Sequence, residues 1–344
     1  MKYKYNKIVG IGGIGTGMLF HTDIDAILGR SESRLAELSG AKDYCKQHIV
    51  FHYISTLLSP DVKIYPIGFV GKDAYGDQLI QEIQGVGMDT TYLRVDSSLP
   101  TMLSICLQYP DKETCNFTAS NSACNLVTPE CVRDCLEQIG IDENTIVVAI
   151  PEVQVDSRVE MLKIGKEKGA YCVLSVPEAE ADDFKSAEAF KYCDLVAVNH
   201  AEALMLAPGD EDDEALTKRL YEYLRGFNPE IMLLATLGQR GAYSVYRGNY
   251  EFIPSLSAKT VNTSGAGDAC LGGTLAGLTR GLPFQKGCSD SVFGGSQILS
   301  AVELGTLCAG MAVETEDSIA QHVNRATILE RISESGWKVT EEFL

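Results

Sequence analysis

The sequence predicts an α/β fold, with a mostly parallel β-sheet flanked by helices and a small β-strand insertion. Along most of the chain, short apolar runs alternate with longer segments whose apolar residues recur at helical spacing, which is the pattern of βαβ units. Residues 92–118 differ, because they contain three short strand-like pieces with no helix between them. The 344 residues are 45% apolar and 22% charged, which is typical of a globular chain with a large buried core.

The first part of the chain predicts two strands and two helices. Residues 7–13 form an apolar strand that runs into a glycine-rich turn. Residues 31–58 have apolar positions at helical spacing, which predicts a helix. A second strand is predicted over 62–71 and a second helix over 74–85, and the strand-only insertion follows.

The regular alternation returns after residue 125. Helices are predicted near 128–139, near 156–168, around Glu202, over 212–226 and after residue 265. Strands are predicted at 145–150, 170–176, 194–199 and 230–238, followed by an alternating hairpin at 243–254. Strands separated by helices of this length favour a mostly parallel sheet.

Charge and cysteine usage exclude several classes of protein. The formal net charge of −18 disfavours binding to nucleic acids and to anionic membranes. No run approaches 18 consecutive apolar residues, so we expect no membrane span. The eleven cysteines are scattered without a C-x-x-C pair, which argues against a disulfide framework or a zinc ribbon and favours reduced thiols in the cytoplasm.

Glycines after the first strand allow two interpretations. Gly10, Gly12 and Gly15 match the G-x-G-x-x-G pattern of dinucleotide-binding folds, and Glu32 stands where a ribose-binding acid would. The segment after Gly17 predicts no helix, however, and that fingerprint requires one. We therefore favour a tight turn at which the backbone passes close to a small ligand.

The strongest chemical signal lies in residues 261–278. Gly265, Ala266 and Gly267 allow a tight bend and leave N–H groups at the start of an apolar helix, and Asp268 falls in its first turn. An anion-binding loop beside a carboxylate is what phosphoryl transfer to a hydroxyl requires, because the N–H groups hold the phosphoryl charge while the carboxylate accepts the proton. The alternative is a capped helix in which Asp268 only favours the positive helix end.

Four motifs in order resemble those of the ribokinase-like, phosphofructokinase-B (PfkB) sugar kinases. Residues 265–268 are similar to the G-A-G-D motif of that family, and residues 68–76 to its G-x-V-G-x-D-x-x-G segment. Residues 199–202 resemble its N-x-x-E motif, and residues 236–242 its T-x-G-x-x-G-A nucleotide segment. The resemblance covers nearly the whole chain.

This resemblance implies a ribokinase-like, doubly wound fold. It implies one domain over residues 1–344, with a lid over the sugar formed by about 14–30 and 92–118. It also favours a homodimer joined through the lid strands, since exposed strand edges invite pairing. The expected substrates are a sugar-like small molecule and ATP.

The resemblance also implies roles for individual residues. Asp268 would be the catalytic base, and the N–H groups of Gly265, Ala266 and Gly267 would form the anion hole. Asn199 and Glu202 would organise Mg²⁺ and the phosphates, with Glu202 reaching the metal through water. The ATP site would include Thr236, Gly238 and Thr263.

The sequence departs from the family at three places. Asn262 replaces an aspartate that helps to bind a monovalent cation, which leaves potassium activation open. The sugar-binding G-G-x-x-x-N segment is missing, and residues 39–53, with Lys42 and Asp43, take its place as candidate substrate contacts. The aspartate that usually follows the first strand could be Asp23 or Asp25.

The main hypothesis is therefore an ATP- and Mg²⁺-dependent carbohydrate kinase that phosphorylates a hydroxyl of a sugar or related small molecule. A nucleoside kinase is the nearest variant. Asn262 and the rewritten sugar segment motivate a second hypothesis, a catalytically silent ligand-binding or scaffold protein on the kinase fold. A dinucleotide-dependent enzyme is the third.

Overall fold

Nine strands form the main sheet in the part of the chain that the structure describes. The structure, a computed structural model, describes residues 3–25, 29–110, 114–209, 212–286, 297–298, 300–334 and 338–339. The main-sheet strands are β1 (Lys7–Ile11), β4 (Lys63–Gly71), β5 (Leu93–Asp96), β8 (Thr145–Ala149), β9 (Tyr171–Ser175), β10 (Leu195–Asn199), β11 (Met232–Thr236), β12 (Gly241–Tyr246) and β13 (Asn249–Pro254).

The strand order creates a topological switch point beside β1. The order across the sheet is β13-β12-β11-β10-β9-β8-β1-β4-β5, and all neighbours are parallel except at the β11–β12–β13 hairpin. The chain thus builds outward from β1 in one direction through β4 and β5, and in the other from β8 onward. Ligands of open α/β sheets bind at the carboxyl ends of the strands near such a reversal.

Helices cover both faces of this sheet. They are α1 (Lys46–Leu58), α2 (Ala74–Gly85), α3 (Pro129–Ile139), α4 (Val155–Glu167), α5 (Ala181–Ser186), α6 (His200–Leu206), α7 (Asp213–Arg225), α8 (Ala266–Thr279), α9 (Ala301–Ala312) and α10 (Arg325–Glu334). Alternate residues of β1 enter different cores, because side chains of a strand alternate between faces. Ile8 packs with α1, α8 and α9, and Val9 packs with α3, α4 and α7.

A second, small sheet lies apart from the main one. It consists of β2 (Gly15–His21), β3 (Glu37–Tyr44), β6 (Met102–Gln108) and β7 (Thr114–Thr118), in the order β3-β2-β6-β7. The pair β14 (Gln297–Ile298) and β15 (Lys338–Val339) completes the described strands. The predicted class, a mostly parallel sheet flanked by helices with a small extra sheet, is confirmed.

Two element predictions are wrong. The predicted helix over 31–58 begins only at Lys46, because the residues before it form β3, whose exposed and half-buried positions pair with β2. The strand at 93–96 does not join the small sheet with the rest of 92–118; it pairs with β4 at the edge of the main sheet. The parts of the lid prediction that fall on 26–28 and 111–113 lie outside the described residues.

The glycine pattern after β1 serves packing rather than a dinucleotide. β1 leads into strand β2 and not into a helix, so the dinucleotide fingerprint lacks its structural context. A Cβ on Gly10 would lie 2.3 Å from the ring of Phe51, and one on Gly12 would lie 2.8 Å from the Gln47 side chain. These glycines therefore let α1 pack directly onto β1.

Two further sequence expectations can be compared with the structure. Every cysteine within the described ranges is a free thiol, as expected for reduced cysteines. Across the same ranges, no helix has the length and apolar character needed to cross a membrane.

Candidate active site

A large cleft lies at the carboxyl ends of the central strands. Its volume is about 950 Å³, and its lining includes Asn199 and Thr236, the last residues of the paired strands β10 and β11. Glu152, three residues beyond β8, also lines it. The small sheet contributes residues from the other side, so the cleft lies between the two sheets at the switch point.

The N-x-x-E motif forms a capping box at the start of α6. The Asn199 side chain accepts a hydrogen bond from the Glu202 N–H at 2.9 Å, and Glu202 Oε2 accepts one from the Asn199 N–H at 2.7 Å. This reciprocal pair fixes the Glu202 carboxylate at the floor of the cleft. Its second oxygen, Oε1, lies 3.3 Å from Lys46 Nζ.

The predicted anion loop stands at the N-terminus of α8. Gly265 caps the helix with a φ of 77°, and a Cβ there would lie 2.3 Å from the Ser318 carbonyl oxygen. The loop residues Gly265, Ala266 and Gly267 all line the cleft, as does Thr263. The Ala266 N–H donates to the Thr263 carbonyl at 3.3 Å, which leaves Gly265 and Gly267 as the better placed donors for a ligand.

Asp268 occupies the first turn of α8 and faces the same cleft. Burial, together with the nearby carboxylates of Glu152, Glu202 and Asp43, raises its pKa to about 7, and the positive charge of Lys46 opposes that rise. A carboxylate with a pKa near neutrality is matched to proton transfer at physiological pH.

The nucleotide-side predictions also fall in the cleft. Thr236 lies beside the anion loop, since a Cβ on Gly267 would be 3.7 Å from its hydroxyl oxygen. Gly238 lines the cleft in the turn after β11, with a φ of 58°. The structure therefore brings together the residues predicted from the G-A-G-D, N-x-x-E and T-x-G-x-x-G-A motifs.

The predicted substrate residues divide into two pairs. Asp43, on β3, lines the cleft, accepts a hydrogen bond from Ser264 Oγ at 3.3 Å and another from Cys106 Sγ at 3.0 Å. Lys42 lines it too, but its ammonium group is paired with Glu82 at 2.5 Å. Asp23 and Asp25 are exposed in the turn after β2 and are not part of the described cleft lining.

Sequence reasoning did not select two charged cleft residues, Lys46 and Glu152. The Lys46 backbone N–H donates to Glu152 Oε2 at 3.2 Å, so the two are adjacent. Gly13 makes room for this carboxylate, since a Cβ there would lie 2.5 Å from it. The signal for Glu152 is its place just after an apolar strand. The signal for Lys46 is its place within residues 39–53, which replace the sugar-binding segment of the family.

The strand order and the flanking helices define a doubly wound α/β protein of the ribokinase fold. A ribokinase structure from Giardia lamblia superposes with a TM-score of 0.78 at 18% identity, covering 94% of this chain and 99% of that one. The Arabidopsis thaliana ribokinase complexed with ribose and ATP gives a TM-score of 0.74 at 19% identity, covering 95% and 99%.

Sequence comparison narrows the class to a family. Residues 50–324 match the description "pfkB family carbohydrate kinase", and the chain belongs to this family. A ribokinase of Lactococcus lactis is 26% identical over 235 residues, which is 68% of this chain and 71% of the relative. A cytidine kinase of Thermococcus kodakarensis is 28% identical over 167 residues, 43% of this chain and 58% of that protein. The predicted family and the prediction of a carbohydrate kinase are confirmed.

Proposed function

We propose that the protein transfers the γ-phosphoryl group of ATP to a hydroxyl of an uncharged sugar or related polyol, with Asp268 as the base. The observation that carries this proposal is the position of Asp268. Its carboxylate, with a pKa raised to about 7, stands at a helix N-terminus inside the cleft between the two sheets. Acceptor, base and phosphate-binding loop can therefore meet at one point.

The proposed step uses this chain's residues in three ways. Asp268 accepts the proton of the acceptor hydroxyl, whose oxygen bonds to the γ-phosphorus while the bond to ADP breaks. The N–H groups of Gly265 and Gly267 would donate to the transferring phosphoryl group at the positive end of α8, while that of Ala266 is already donated to the Thr263 carbonyl oxygen. Thr236, Gly238 and Thr263 line the nucleotide side of the cleft.

Glu202 and Asn199 are the residues we assign to Mg²⁺. No group of three His, Cys, Asp or Glu side chains in the described part of the chain could hold a metal by itself. This fits Mg²⁺, which keeps several waters and is held by one or two carboxylates together with substrate phosphates. When bound, Mg²⁺ neutralises charge on the nucleotide phosphates.

The charges in the cleft favour an uncharged acceptor. Asp43, Glu152, Glu202 and Asp268 bring four carboxyl groups to the cleft lining, against the ammonium groups of Lys46 and of Lys42, the second of which is paired with Glu82. A further carboxylate or phosphate on the acceptor would meet this surplus of negative charge. Carboxylates accept hydrogen bonds readily, which suits an acceptor with several hydroxyl groups.

The proposal is tested by measuring ADP release from Mg·ATP with neutral sugars, polyols, nucleosides, sugar acids and sugar phosphates. We expect turnover with a neutral polyhydroxyl acceptor and little with the anionic ones. Turnover only with nucleosides would favour the nucleoside-kinase variant. Binding of ATP with no turnover across the whole panel would contradict the proposal and favour a silent ligand-binding protein.

We further propose that two copies of the chain pair through the outer face of the small sheet. Ile105 and Phe117 face each other across β6 and β7 and are 44% and 65% exposed, and Leu38 on β3 is 59% exposed. An exposed apolar face of this kind is typical of an interaction surface. Its partner would be a second copy, and the sheet would act as the lid in both.

We expect the wild-type protein to be a dimer in solution and Ile105→Lys to be a monomer, because a buried lysine in the interface would lack a partner. Multi-angle light scattering after size-exclusion chromatography measures this directly. Phe252→Lys is the matched control, since Phe252 is an exposed (47%) aromatic residue on β13 of the main sheet. A monomeric wild-type protein would contradict the proposal.

From the hydrogen bonds of Asn262 we expect that turnover does not depend on potassium. Its Nδ2 donates to the Glu316 carbonyl oxygen at 2.7 Å, and its Oδ1 accepts the Ser264 N–H at 3.0 Å. The amide thus ties the anion loop to the segment after α9 without a cation. An aspartate would bring a carboxylate to that carbonyl oxygen, and a monovalent cation would then relieve the repulsion.

We therefore expect equal initial rates for the wild type in potassium, sodium and tetramethylammonium salts. Asn262→Asp should lose about tenfold in tetramethylammonium and recover in potassium, by the Coulomb argument for one added charge. A several-fold potassium stimulation of the wild type would show that the amide does not replace a cation.

A further inference from the structure

Lys46 is a charged cleft residue to which the proposed mechanism assigns no role. It is the first residue of α1, is half-buried, and lines the cleft. Its backbone N–H donates to Glu152 Oε2 at 3.2 Å, while its Nζ lies 3.3 Å from Glu202 Oε1, a residue assigned to the phosphate side. The residue therefore lies between Glu152 and Glu202, and its side chain reaches the phosphate side of the cleft.

The packing of α1 places this lysine next to the anion loop. Ile49, three residues further along α1 and so on the same helix face, would contact a Cβ on Gly265 at 3.3 Å. Deeper in the core, α1 and α8 approach closely at Gly272, where a Cβ would lie 2.6 Å from the Val50 carbonyl oxygen. The first turns of α1 and α8 therefore lie side by side and both line the cleft.

Three carboxylates draw the lysine towards the proposed base. Those of Asp268, Glu202 and Glu152 all attract its ammonium group. In turn, Lys46 lowers the pKa of Asp268, so its charge acts at the point where the acceptor hydroxyl would lose its proton.

We propose that Lys46 is a catalytic residue whose ammonium group binds the phosphoryl group as it passes from ATP to the acceptor. The inference rests on the proposed kinase function. Negative charge accumulates on the oxygens of the transferring group and on the ADP oxygen that receives the electrons of the broken bond. The ammonium group lies 3.3 Å from Glu202 Oε1, and the backbone N–H of the same residue is anchored on Glu152, so this group can meet that charge with little reorganisation.

The alternative is that Lys46 acts only by holding Asp268 ionised, and a pH profile separates the two roles. Lys46→Met should raise the pKa of Asp268 and move the acidic limb of the rate profile to higher pH in either case. If the lysine binds the phosphoryl group, kcat of Lys46→Met should stay about 10²–10³-fold below wild type on the alkaline plateau, where Asp268 is ionised in both proteins.

Further measurements control for folding and for ground-state binding. Lys46→Arg keeps the charge and should retain more of the plateau rate than Lys46→Met. Calorimetry should show Mg·ADP binding within about threefold of wild type in Lys46→Met, with a much larger loss for Mg·ADP plus aluminium fluoride, which mimics the transferring phosphoryl group. Lys63→Met is the control, because Lys63 is exposed at the end of β4 that lies away from the cleft. It should change neither the plateau rate nor the binding of the two Mg·ADP complexes.

The inference would be overturned if Lys46→Met reached the full wild-type rate on the alkaline plateau, or if it bound the aluminium fluoride complex as tightly as the wild type. Either result would leave the kinase function intact. Absence of turnover by the wild type with every acceptor would overturn the proposed function itself, and this inference with it.

Discussion

Asp268→Asn should reduce kcat by about 10³–10⁴-fold, because the asparagine amide cannot accept the proton of the acceptor hydroxyl. The fold and the nucleotide side of the cleft should remain, so Mg·ATP should still bind. The measurement is initial-rate kinetics with the acceptor identified from the panel, together with calorimetry. Near-normal turnover in this variant would mean that another group is the base.

The pH dependence of the wild-type rate should report the ionisation of Asp268. Since the pKa of Asp268 is raised to about 7, kcat/KM should rise about tenfold per pH unit below 7 and level off above it. A limb near pH 4, the ordinary range of an aspartate, would contradict this environment for the base.

The same substitution should stabilise the protein above neutral pH. A carboxyl group whose pKa is about 7 when folded and about 3.8 when unfolded favours the folded state only when protonated, so its penalty grows as pH rises from 3.8 to 7 and is complete above 7. Urea unfolding should show Asp268→Asn to be more stable at pH 8, on the order of 2 kcal/mol, with little difference at pH 4.

Asp77→Asn is the matched control for this stability effect. Asp77 also lies in the first turn of a helix, α2, but it is exposed. Its substitution should lose a small favourable interaction with the helix dipole and leave turnover unchanged. A stability gain at pH 8 in both variants would show that the effect comes from overall charge and not from the buried cluster around Asp268.

Much of the fold could be predicted because local sequence decides it. Alternating apolar runs and helical segments reproduce β1, β4, β8 to β11, and α2 to α4 within one or two residues. β3 was missed because its residues, ELSGAKDY, carry no strict alternation, and only pairing with β2 holds them in a strand. Such pairing is a tertiary effect that single-sequence propensity does not contain.

The candidate site also has a part that the local sequence predicts and a part that depends on tertiary packing. The residues around Asp268, Glu202 and Thr236 stand in short motifs whose backbone geometry is local, so the sequence places them well. Lys46 and Glu152 become neighbours only when α1 packs on β1 and β8 ends at the switch point. The sequence left Asp23 and Asp25 open as alternatives and named Lys42 and Asp43 separately. It could not show that only the second pair lines the described cleft, because that depends on where the small sheet lies.

Gly265→Ala should cost both stability and activity, because Gly265 faces two constraints at once. Its φ of 77° lies in the left-handed region, and an added Cβ would lie 2.3 Å from a backbone oxygen, that of Ser318. Ser318 cannot move freely, because its N–H donates to the Lys42 carbonyl and its Oγ accepts the Tyr44 N–H at 3.0 Å. The clash would therefore pass into β3, which carries Asp43.

Gly140→Ala separates the backbone strain from the clash. Gly140 ends α3 with a φ of 67°, and a Cβ there would meet nothing within 4 Å. We expect this control to lose about 1 kcal/mol in urea unfolding with unchanged kinetics, and Gly265→Ala to lose about 3 kcal/mol with a kcat about 10²-fold lower. Equal stability losses in the two variants would show that the loop accommodates the methyl group. The anion loop would then be looser than its contact with Ser318 requires, and the proposed preorganised donors would lose their structural basis.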